Sequence, residues 1–428
     1  MKITHSSEKI TPFGGFNFCH KLLVDTGIPD LIDGHLGKRI KYVGFDYSDI
    51  FTNHMAVFLH GGDCTEDVND HLGGNLKEVR GMSVCSADTI LRGIKELATP
   101  TVEYISSSGI THEFNININL NKLLLKALLK TGQLDHQTAY TVDYDNQVIP
   151  TEKYDAAKTY KKCDGYQSGI ASIGKHIVYI EGRNGNSPAK YRQAETLQRA
   201  FSLLETEGIK ANRFRADSAS YQKDIIDLVT EKNMLFYIRA TRCASMEQQT
   251  GALPDEAWSK IRLGVQEMEV AEINHYQPFG EKKAYRLVVS RIKRKDKQTG
   301  LFTGSAYTYR AIITNDGQWD KKQITSFYNK RASSEKTFDT MNNDFGWSKL
   351  PCSFLNENTS FMIMTALYAN FYSFMINYFA EKLSWVEASF RLKKFVFRFI
   401  AVAAKWIKTG RQYVLKLYTQ KDYSPLIT

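Results

Sequence analysis

The feature that most constrains the fold is an alternation of element types between residues 138 and 240. The segments with strand composition and those with helical periodicity follow one another in a regular way. Strands are predicted at 139–150, on both sides of a turn within 169–182, at 212–216 and at 234–240, and helices at 190–205 and 222–231. The predicted order is therefore β-β-β-α-β-α-β, in which three meandering strands precede strands linked by helices.

This order indicates an α/β protein with a ribonuclease-H-like sheet, and the rest of the chain is predicted around it. Residues 138–350 are expected to form the core, with a β-rich insertion at about 241–315 that contains strands at 284–293 and 307–314 and a basic turn at 291–296. Residues 1–130 are interpreted as a domain of mostly short helices. Residues 351–428 are interpreted as a helical region that becomes basic.

The charge balance favours a polyanionic partner. Lys and Arg total 56 against 46 Asp and Glu, a net charge of +10, and nucleic acid is the first partner that such an excess indicates. The six cysteines are scattered without a C-x-x-C pair, which argues against a zinc site and a disulfide framework. We expect a cytoplasmic, nucleoid-associated protein.

One uncharged run of twenty residues, 361–380, is long enough to cross a bilayer. Because it contains Thr365, Asn370, Ser373 and Asn377, we interpret it as a helix buried against a sheet and expect no membrane partner.

Two segments have the composition of nucleic-acid-binding surfaces. In residues 82–97, Ser86 is a plausible N-cap, and Arg92 and Lys95 lie off the apolar stripe. This pattern fits the recognition helix of a helix-turn-helix, or an ordinary surface helix. Residues 391–416 interleave basic and aromatic side chains with no acid, as in a phosphate-tracking surface or a solvated face.

Cleavage of a phosphodiester by two metal ions requires hard oxygen ligands, usually carboxylates. Asp143 and Asp145 are two residues apart on a predicted strand, so they share one face of it. Asp217 ends another predicted strand, where α/β sheets place their sites. An Asp at a strand end can equally be a turn or cap residue.

A third segment could add a carboxylate from a helix. Asp320 and Gln323 predict a capping box, and the helix can run to about Asn342. Spacings of three and four predict that Tyr328, Arg331 and Glu335 share one helical face. Arg331 and Glu335 could also be only a helix ion pair.

The three segments together resemble the DDE transposases of bacterial insertion sequences. The resemblance lies in the insertion-sequence-four-like group, nearest to the branch named for insertion sequence thirteen-eighty. It is carried by residues 142–146, by the string Arg-Ala-Asp-Ser at 215–218, and by Tyr-x-x-Arg-x-x-x-Glu at 328–335. It implies a ribonuclease-H-like core, a β-strand insertion before the Glu, and cut-and-paste chemistry.

The resemblance assigns roles to individual residues. Asp145, Asp217 and Glu335 would be the catalytic metal ligands, with Asp143 in reserve for the first. Tyr328 and Arg331 would hold the terminal phosphate. This chain departs from the pattern at Gln147, where the group has Thr, and at Asn342, where it has Lys; Lys336 or Lys349 would replace that lysine. Related enzymes use an aromatic residue of the insertion against a flipped base, and Trp319 and Trp258 are candidates, although each could be a packed core residue.

The implied cofactor is a pair of Mg²⁺ ions, for which Mn²⁺ can substitute. The implied partners are double-stranded DNA, both the element's terminal inverted repeats and the target DNA, and a second copy of the chain in a synaptic homodimer. Two alternatives stay open. One is a catalytically inactive DNA-binding protein derived from a transposase, and the other is a structure-selective nuclease of the same fold.

Overall fold

The structure is a computed structural model that describes residues 1–5, 7–39, 44–280, 282–293 and 307–427. Part of the predicted basic turn at 291–296 therefore lies outside the described residues.

The N-terminal region consists of short helices followed by a hairpin and a longer helix. Its elements are α1 (Phe16–Asp25), α2 (Ile28–Leu36), α3 (Tyr47–Leu59), α4 (Gly73–Leu76), α5 (Ala87–Glu96), β1 (Thr101–Ile105), β2 (Thr111–Asn115) and α6 (Ile118–Lys130). Ser86 caps α5 by accepting from the Thr89 amide, as predicted. The β1–β2 hairpin was not predicted from the sequence. Its strand β2 pairs with a strand of the central region, residues His176–Arg183.

The central region has the predicted succession of elements, with one extra two-residue strand. They are β3 (Ala139–Pro150), β4 (Ala157–Lys158), β5 (Asp164–Ile173), β6 (His176–Arg183), α7 (Gln193–Thr206), β7 (Lys210–Ala216), α8 (Lys223–Glu231) and β8 (Leu235–Arg239). β3, β5 and β6 form an antiparallel meander, and β7 and β8 are parallel to β3.

The next region is mainly β, as predicted for residues 241–315. It comprises α9 (Ala244–Gly251), β9 (Ser259–Leu263), β10 (Gln266–Tyr276), β11 (Tyr285–Lys293) and β12 (Tyr307–Thr314). β12 pairs antiparallel with β8, so this region extends the central sheet instead of forming a separate one. In the described part of the chain the sheet order is β1-β2-β6-β5-β3-β7-β8-β12-β11-β10-β9, with β4 against β5.

The final region contains α10 (Lys321–Asn329), α11 (Ser333–Asp344), α12 (Leu355–Lys382), α13 (Leu392–Phe395), β13 (Ala404–Thr409) and β14 (Gln412–Leu417). The capping box of Asp320 and Gln323 is present. The prediction that residues 351–428 are helical is wrong at the end of the chain, because β13 and β14 form a hairpin. A backbone bridge from Thr11 to Ala404 joins this hairpin to the N-terminal segment.

Helices cover both faces of the central sheet. α12 packs on the face that carries Ile170 and Ile180, and Asn370 of α12 both donates to and accepts from the Ile177 backbone. This confirms the prediction of a buried helix over 361–380. Among the described residues, no helix has the length and apolarity that a bilayer crossing needs. The opposite face packs against α7 and α8 through side chains such as Leu197 and Ile225.

Candidate active site

The candidate site lies where β7 ends beside β3. Asp143 is opposite Arg215 in the parallel register of the two strands. Asp145 and Asp217 each follow this pair by two residues, and the backbone at Asp217 is still extended, with φ −79° and ψ −170°. Because side chains alternate along a strand, the register brings Asp145 and Asp217 to one face of the sheet, on neighbouring strands.

The environment of Asp145 is that of a carboxylate in a crowded, partly dry site. Its side chain is 21% exposed, and its Oδ2 accepts from Nη1 of Arg331 at 2.8 Å. Burial raises the pKa of Asp145, the Arg331 guanidinium lowers it, and the charge of Asp217 raises it again. The two aspartates therefore interact electrostatically, as carboxylates that share a cation do.

Asp143, the reserve candidate, is engaged elsewhere. Both of its oxygens accept from Arg215, at 2.6 Å from Nε and 2.7 Å from Nη2. The pair is almost fully buried, and burial raises the pKa of Asp143 even though Arg215 lowers it. Arg215 also donates to the Phe327 carbonyl at 2.6 Å, so this ion pair attaches α10 to the sheet behind Asp145.

Tyr328 and Arg331 reach the same place from α10 and the turn that follows it. The Tyr328 hydroxyl donates to the Ala216 carbonyl at 3.1 Å, next to Asp217. Burial raises the pKa of Tyr328, and Arg331 opposes this shift. The structure therefore brings together Asp145, Asp217, Tyr328 and Arg331.

Glu335 does not form a close group of three carboxylates with Asp145 and Asp217 in the structure. The predicted helix is interrupted, because residues 330–332 form a 3₁₀ turn between α10 and α11. A 3₁₀ turn advances about 120° per residue instead of about 100°, so it rotates α11 relative to α10. Glu335 lies exposed in the first turn of α11, and the oxygens of Asp145, Asp217 and Glu335 are not all within 4.8 Å of one another.

The donor chemistry of the site fits a hard divalent cation. Asp145 and Asp217 offer carboxylate oxygens from rigid strands, and Arg331 supplies positive charge to one of them. In the described part of the chain, the one group of three acidic or thiol side chains with mutually close ligand atoms is Asp63, Cys64 and Asp67. Asp63 of this group forms an ion pair with Lys349, one of the two lysines expected to replace the lysine missing at position 342. Lys349 is therefore bound to the N-terminal region in this structure.

A comparison with known families decides the class of the protein. The model of the family described as "Transposase DDE domain group 1" matches residues 1–428, the whole chain. The chain belongs to this family. It is a DDE-type transposase. Among solved structures it is similar to a piggyBac transposase synaptic complex with hairpin DNA, with 11% identity and a TM-score of 0.39 over 90% of this chain and 78% of that chain. No curated protein matches the sequence significantly.

The side chains predicted to contact DNA lie in different parts of the transposase. Arg92 and Lys95 are exposed on α5, and Lys95 is 3.9 Å from Glu357 of α12. Lys336 is exposed beside Glu335. Whether these three residues contact DNA stays a prediction.

Both candidate tryptophans of the transposase are partly buried in aromatic and cationic surroundings. Trp319 lies 5.0 Å from the Phe327 ring and 4.7 Å from the Arg213 guanidinium. Trp258 lies 4.2 Å from the Arg291 guanidinium. Whether either tryptophan contacts DNA stays a prediction.

Sequence reasoning missed two arginines of the site. Arg215 belongs to the string Arg-Ala-Asp-Ser, and its pairing with Asp143 gives Asp143 a different environment from Asp145. Arg239 ends β8 two residues after Tyr237, which is opposite Arg215. The rule that directed attention to Asp217, a polar residue at the carboxyl end of a parallel strand, would have found Arg239 as well.

Proposed function

We propose that this transposase binds the terminal inverted repeats of its element and catalyses metal-dependent DNA strand cleavage and strand transfer, on a ribonuclease-H-like core. The observation that carries the proposal is the placement of Asp145 and Asp217 on one sheet face at adjacent strands. The membership in a DDE family supports it, and so does the net charge of +10. The finer assignment is to the insertion-sequence-four-like group and its thirteen-eighty branch.

The proposed metal ligands are Asp145, Asp217 and Glu335, and the proposed ions are two Mg²⁺, for which Mn²⁺ can substitute. The ions would activate a water or 3′-hydroxyl nucleophile and stabilise the leaving oxygen. Asp217 uses Oδ1 to accept from the Ala219 amide at 2.9 Å, which fixes the carboxylate at the end of β7. Asp145 is fixed in the same way by the Asn146 amide, which donates to Oδ1 at 2.9 Å.

Glu335 would complete the ligand set from α11. It is exposed in this structure, and a 3₁₀ turn separates it from Tyr328. A change of this one turn towards α-helical geometry would rotate the start of α11, and with it Glu335, relative to α10. We propose that binding of cations and a DNA end favours that rotation.

Arg331 and Tyr328 would orient the DNA end. Arg331 offers a planar set of donors suited to a phosphate, and its Nη1 now donates to Asp145. A cation at Asp145 would compete with this ion pair and release the guanidinium toward the phosphate. Tyr328 is anchored on the Ala216 carbonyl, so it keeps α10 in register with the end of β7.

The proposed partners are double-stranded DNA and a second copy of the chain. α5, with Arg92 and Lys95, is the proposed reader of the terminal repeats, and Lys336 and Trp319 are proposed contacts near the cleaved end. Target DNA and the homodimer of the synaptic complex follow from strand transfer, which joins two element ends to one target.

The test uses the purified full chain with duplex DNA that carries the inverted repeats flanking the reading frame. We expect cleavage at the repeat ends in Mg²⁺ or Mn²⁺, and its loss in Asp217→Ala. Asp224→Ala is the matched control, because Asp224 is exposed on α8 and removes the same charge. Cleavage by Asp217→Ala at the wild-type rate would contradict the assignment.

The same experiment separates two other functions. The exposed position of Glu335 favours, as the second candidate, an inactive protein that binds the ends. End-specific binding without cleavage in either metal would establish it. Cleavage that follows junction shape instead of repeat sequence, without strand transfer, would indicate a nuclease.

A further inference from the structure

A small cavity lies between α10 and the strands of the β-rich region, next to the candidate site. Its volume is about 260 Å³. Two arginines, Arg239 and Arg310, line it together with polar groups such as Ser290 and Thr325, and Tyr328 forms part of its wall. No carboxylate is among the described residues that line it. Among these described lining residues, positive charge and hydrogen-bond donors are therefore not matched by an anionic side chain.

Arg239 is incompletely satisfied within the protein. Its Nε is buried and has no hydrogen-bond partner in the described part of the chain. Its guanidinium carbon lies 5.4 Å from the centre of the Tyr328 ring. Burial lowers the pKa of Arg239, and the positive charges of Arg310 and Arg331 lower it further, while Tyr328 opposes them. A half-buried guanidinium among other cations is costly unless an anion joins it.

The strand register places Arg239 beside the catalytic aspartates. Arg215 is opposite both Asp143 and Tyr237. Two residues further along each of the strands β3, β7 and β8 are Asp145, Asp217 and Arg239. These three residues form the next row on the same face of the sheet. Neighbouring strands are about 4.8 Å apart, so the backbone of Arg239 is roughly one strand spacing from Asp217. An anion at Arg239 would therefore lie next to the carboxylates.

We infer that Arg239 and Arg310 form a binding site for one backbone phosphate of the DNA strand that enters the active site. This inference rests on the proposed function, since it names a contact of the same DNA. The ligand class is a phosphodiester because a guanidinium offers paired donors to a tetrahedral oxyanion. Arg239 is a positioning residue, which holds the strand while the scissile phosphate lies at Asp145 and Asp217.

The test is a double-mutant cycle between Arg239 and single phosphates of the DNA. Duplexes with the flanking inverted repeats carry one neutral methylphosphonate each, moved through the positions around the cleavage site. Dissociation constants are measured for the wild type, Arg239→Gln and the control Lys210→Gln. Lys210 is exposed at the opposite end of β7, six residues from Ala216, so its loss removes one charge away from the site.

We expect Arg239→Gln to weaken binding about tenfold or more on unmodified DNA, as loss of a charged hydrogen bond does. We expect the dependence of affinity on salt to fall by roughly 0.9 in log–log slope, the value for one phosphate contact. At one methylphosphonate position the wild type should bind more weakly than it binds unmodified DNA. At that same position Arg239→Gln should bind modified and unmodified DNA equally well. Lys210→Gln should keep the wild-type loss at that position.

Two results would overturn the inference while leaving the proposed function intact. One is the absence of coupling: Arg239→Gln binds and cleaves unmodified DNA like the wild type and loses as much affinity as the wild type at every methylphosphonate position. The other is tight binding of inorganic phosphate that Arg239→Gln abolishes without any change in DNA binding, which would indicate a site for a free anion. Failure of the wild type to bind the repeats would overturn both proposals. Thermal melting controls for folding, and removal of this unpaired charge should not lower the melting temperature.

Discussion

Nη1 of Arg331 lies 2.8 Å from Oδ2 of Asp145, although the two residues are 186 positions apart in the sequence. The contact joins the turn after α10 to β3 of the sheet. It also means that a proposed catalytic carboxylate and a proposed phosphate-binding residue form an ion pair in this structure. A metal ion bound at Asp145 would therefore compete with the Arg331 guanidinium for the same oxygen.

Arg331→Gln should separate metal binding from DNA cleavage. Removal of the competing guanidinium should raise the affinity of the DNA-free protein for Mn²⁺ about tenfold, since one charge-assisted hydrogen bond is worth about 1.5–3 kcal/mol. Cleavage of DNA ends should fall by at least as much, because the phosphate contact is lost. Calorimetric titration with Mn²⁺ and a cleavage assay measure the two effects. A parallel fall in both would contradict this competition.

Metal binding should weaken with acid in a window above the usual titration range of an aspartate. The pKa of Asp145 is raised from 3.8, mainly by burial. A protonated carboxyl does not bind the cation, so Mn²⁺ affinity should fall as pH falls through this raised pKa. In the metal-free protein, Asp217→Asn should shift the titration of the Asp145 carboxyl, followed by NMR, to lower pH, because the charge of Asp217 raises the pKa of Asp145, and Asp224→Asn should not.

The raised pKa of Asp145 also determines how the stability of the metal-free protein depends on pH. The folded protein binds more protons at Asp145 than the unfolded chain does in this window. Its contribution to the free energy of unfolding should therefore decrease as pH rises through the raised pKa. A metal-free Asp145→Asn variant that keeps the full wild-type pH dependence would assign that dependence to another group.

The Asp143–Arg215 pair should be structural instead of catalytic. Arg215→Met leaves the Asp143 carboxylate buried without its partner, and should lower the free energy of unfolding by about 3–5 kcal/mol. The double variant Asp143→Asn with Arg215→Met should recover a large part of this loss. Urea unfolding of the two single variants and the double variant measures the coupling. Purely additive losses would show that the two side chains do not act as a pair.

Gly169→Ala should destabilise the sheet behind the active site. A Cβ at residue 169 would overlap the Tyr144 hydroxyl, whereas its next contact, with Cζ of Tyr144, is at 3.2 Å. Overpacking of this kind costs about 1–3 kcal/mol. The Tyr144 hydroxyl is buried without a hydrogen-bond partner in the described residues. Tyr144→Phe should therefore be well tolerated and should restore much of the stability of Gly169→Ala; no recovery would contradict this origin.

The elements that sequence patterns predicted are those specified locally. β3 carries a run of strand-forming residues, and the Asp320–Gln323 capping box begins α10 where it was expected. The sequence predicted only part of the arrangement in which Asp145 and Asp217 lie side by side. The face of each strand followed from alternation, but the register that makes them neighbours depends on the pairing of β3 with β7, and sequence periodicity does not give pairing.

The predictions that proved wrong concern elements set by distant contacts. The 3₁₀ turn at 330–332 interrupts a sequence whose helical spacing continues, and Arg331 within that turn pairs with Asp145 from a distant part of the chain. β2 pairs with β6 through Phe114 and Arg183, and β13 is bridged to Thr11. Such partners lie too far away in sequence for a local pattern to reveal them.

The central claim is that Asp145 and Asp217 act as one metal-binding unit, and the rates of DNA-end cleavage in Mg²⁺ by Asp145→Ala, Asp217→Ala and the double variant test it most directly. Loss of a shared metal site costs several kcal/mol, so each single variant should be slower by roughly 10³-fold. The double variant should be no slower than either single variant, because the unit is already lost. Multiplied losses in the double variant, or a single variant at the wild-type rate, would contradict the account.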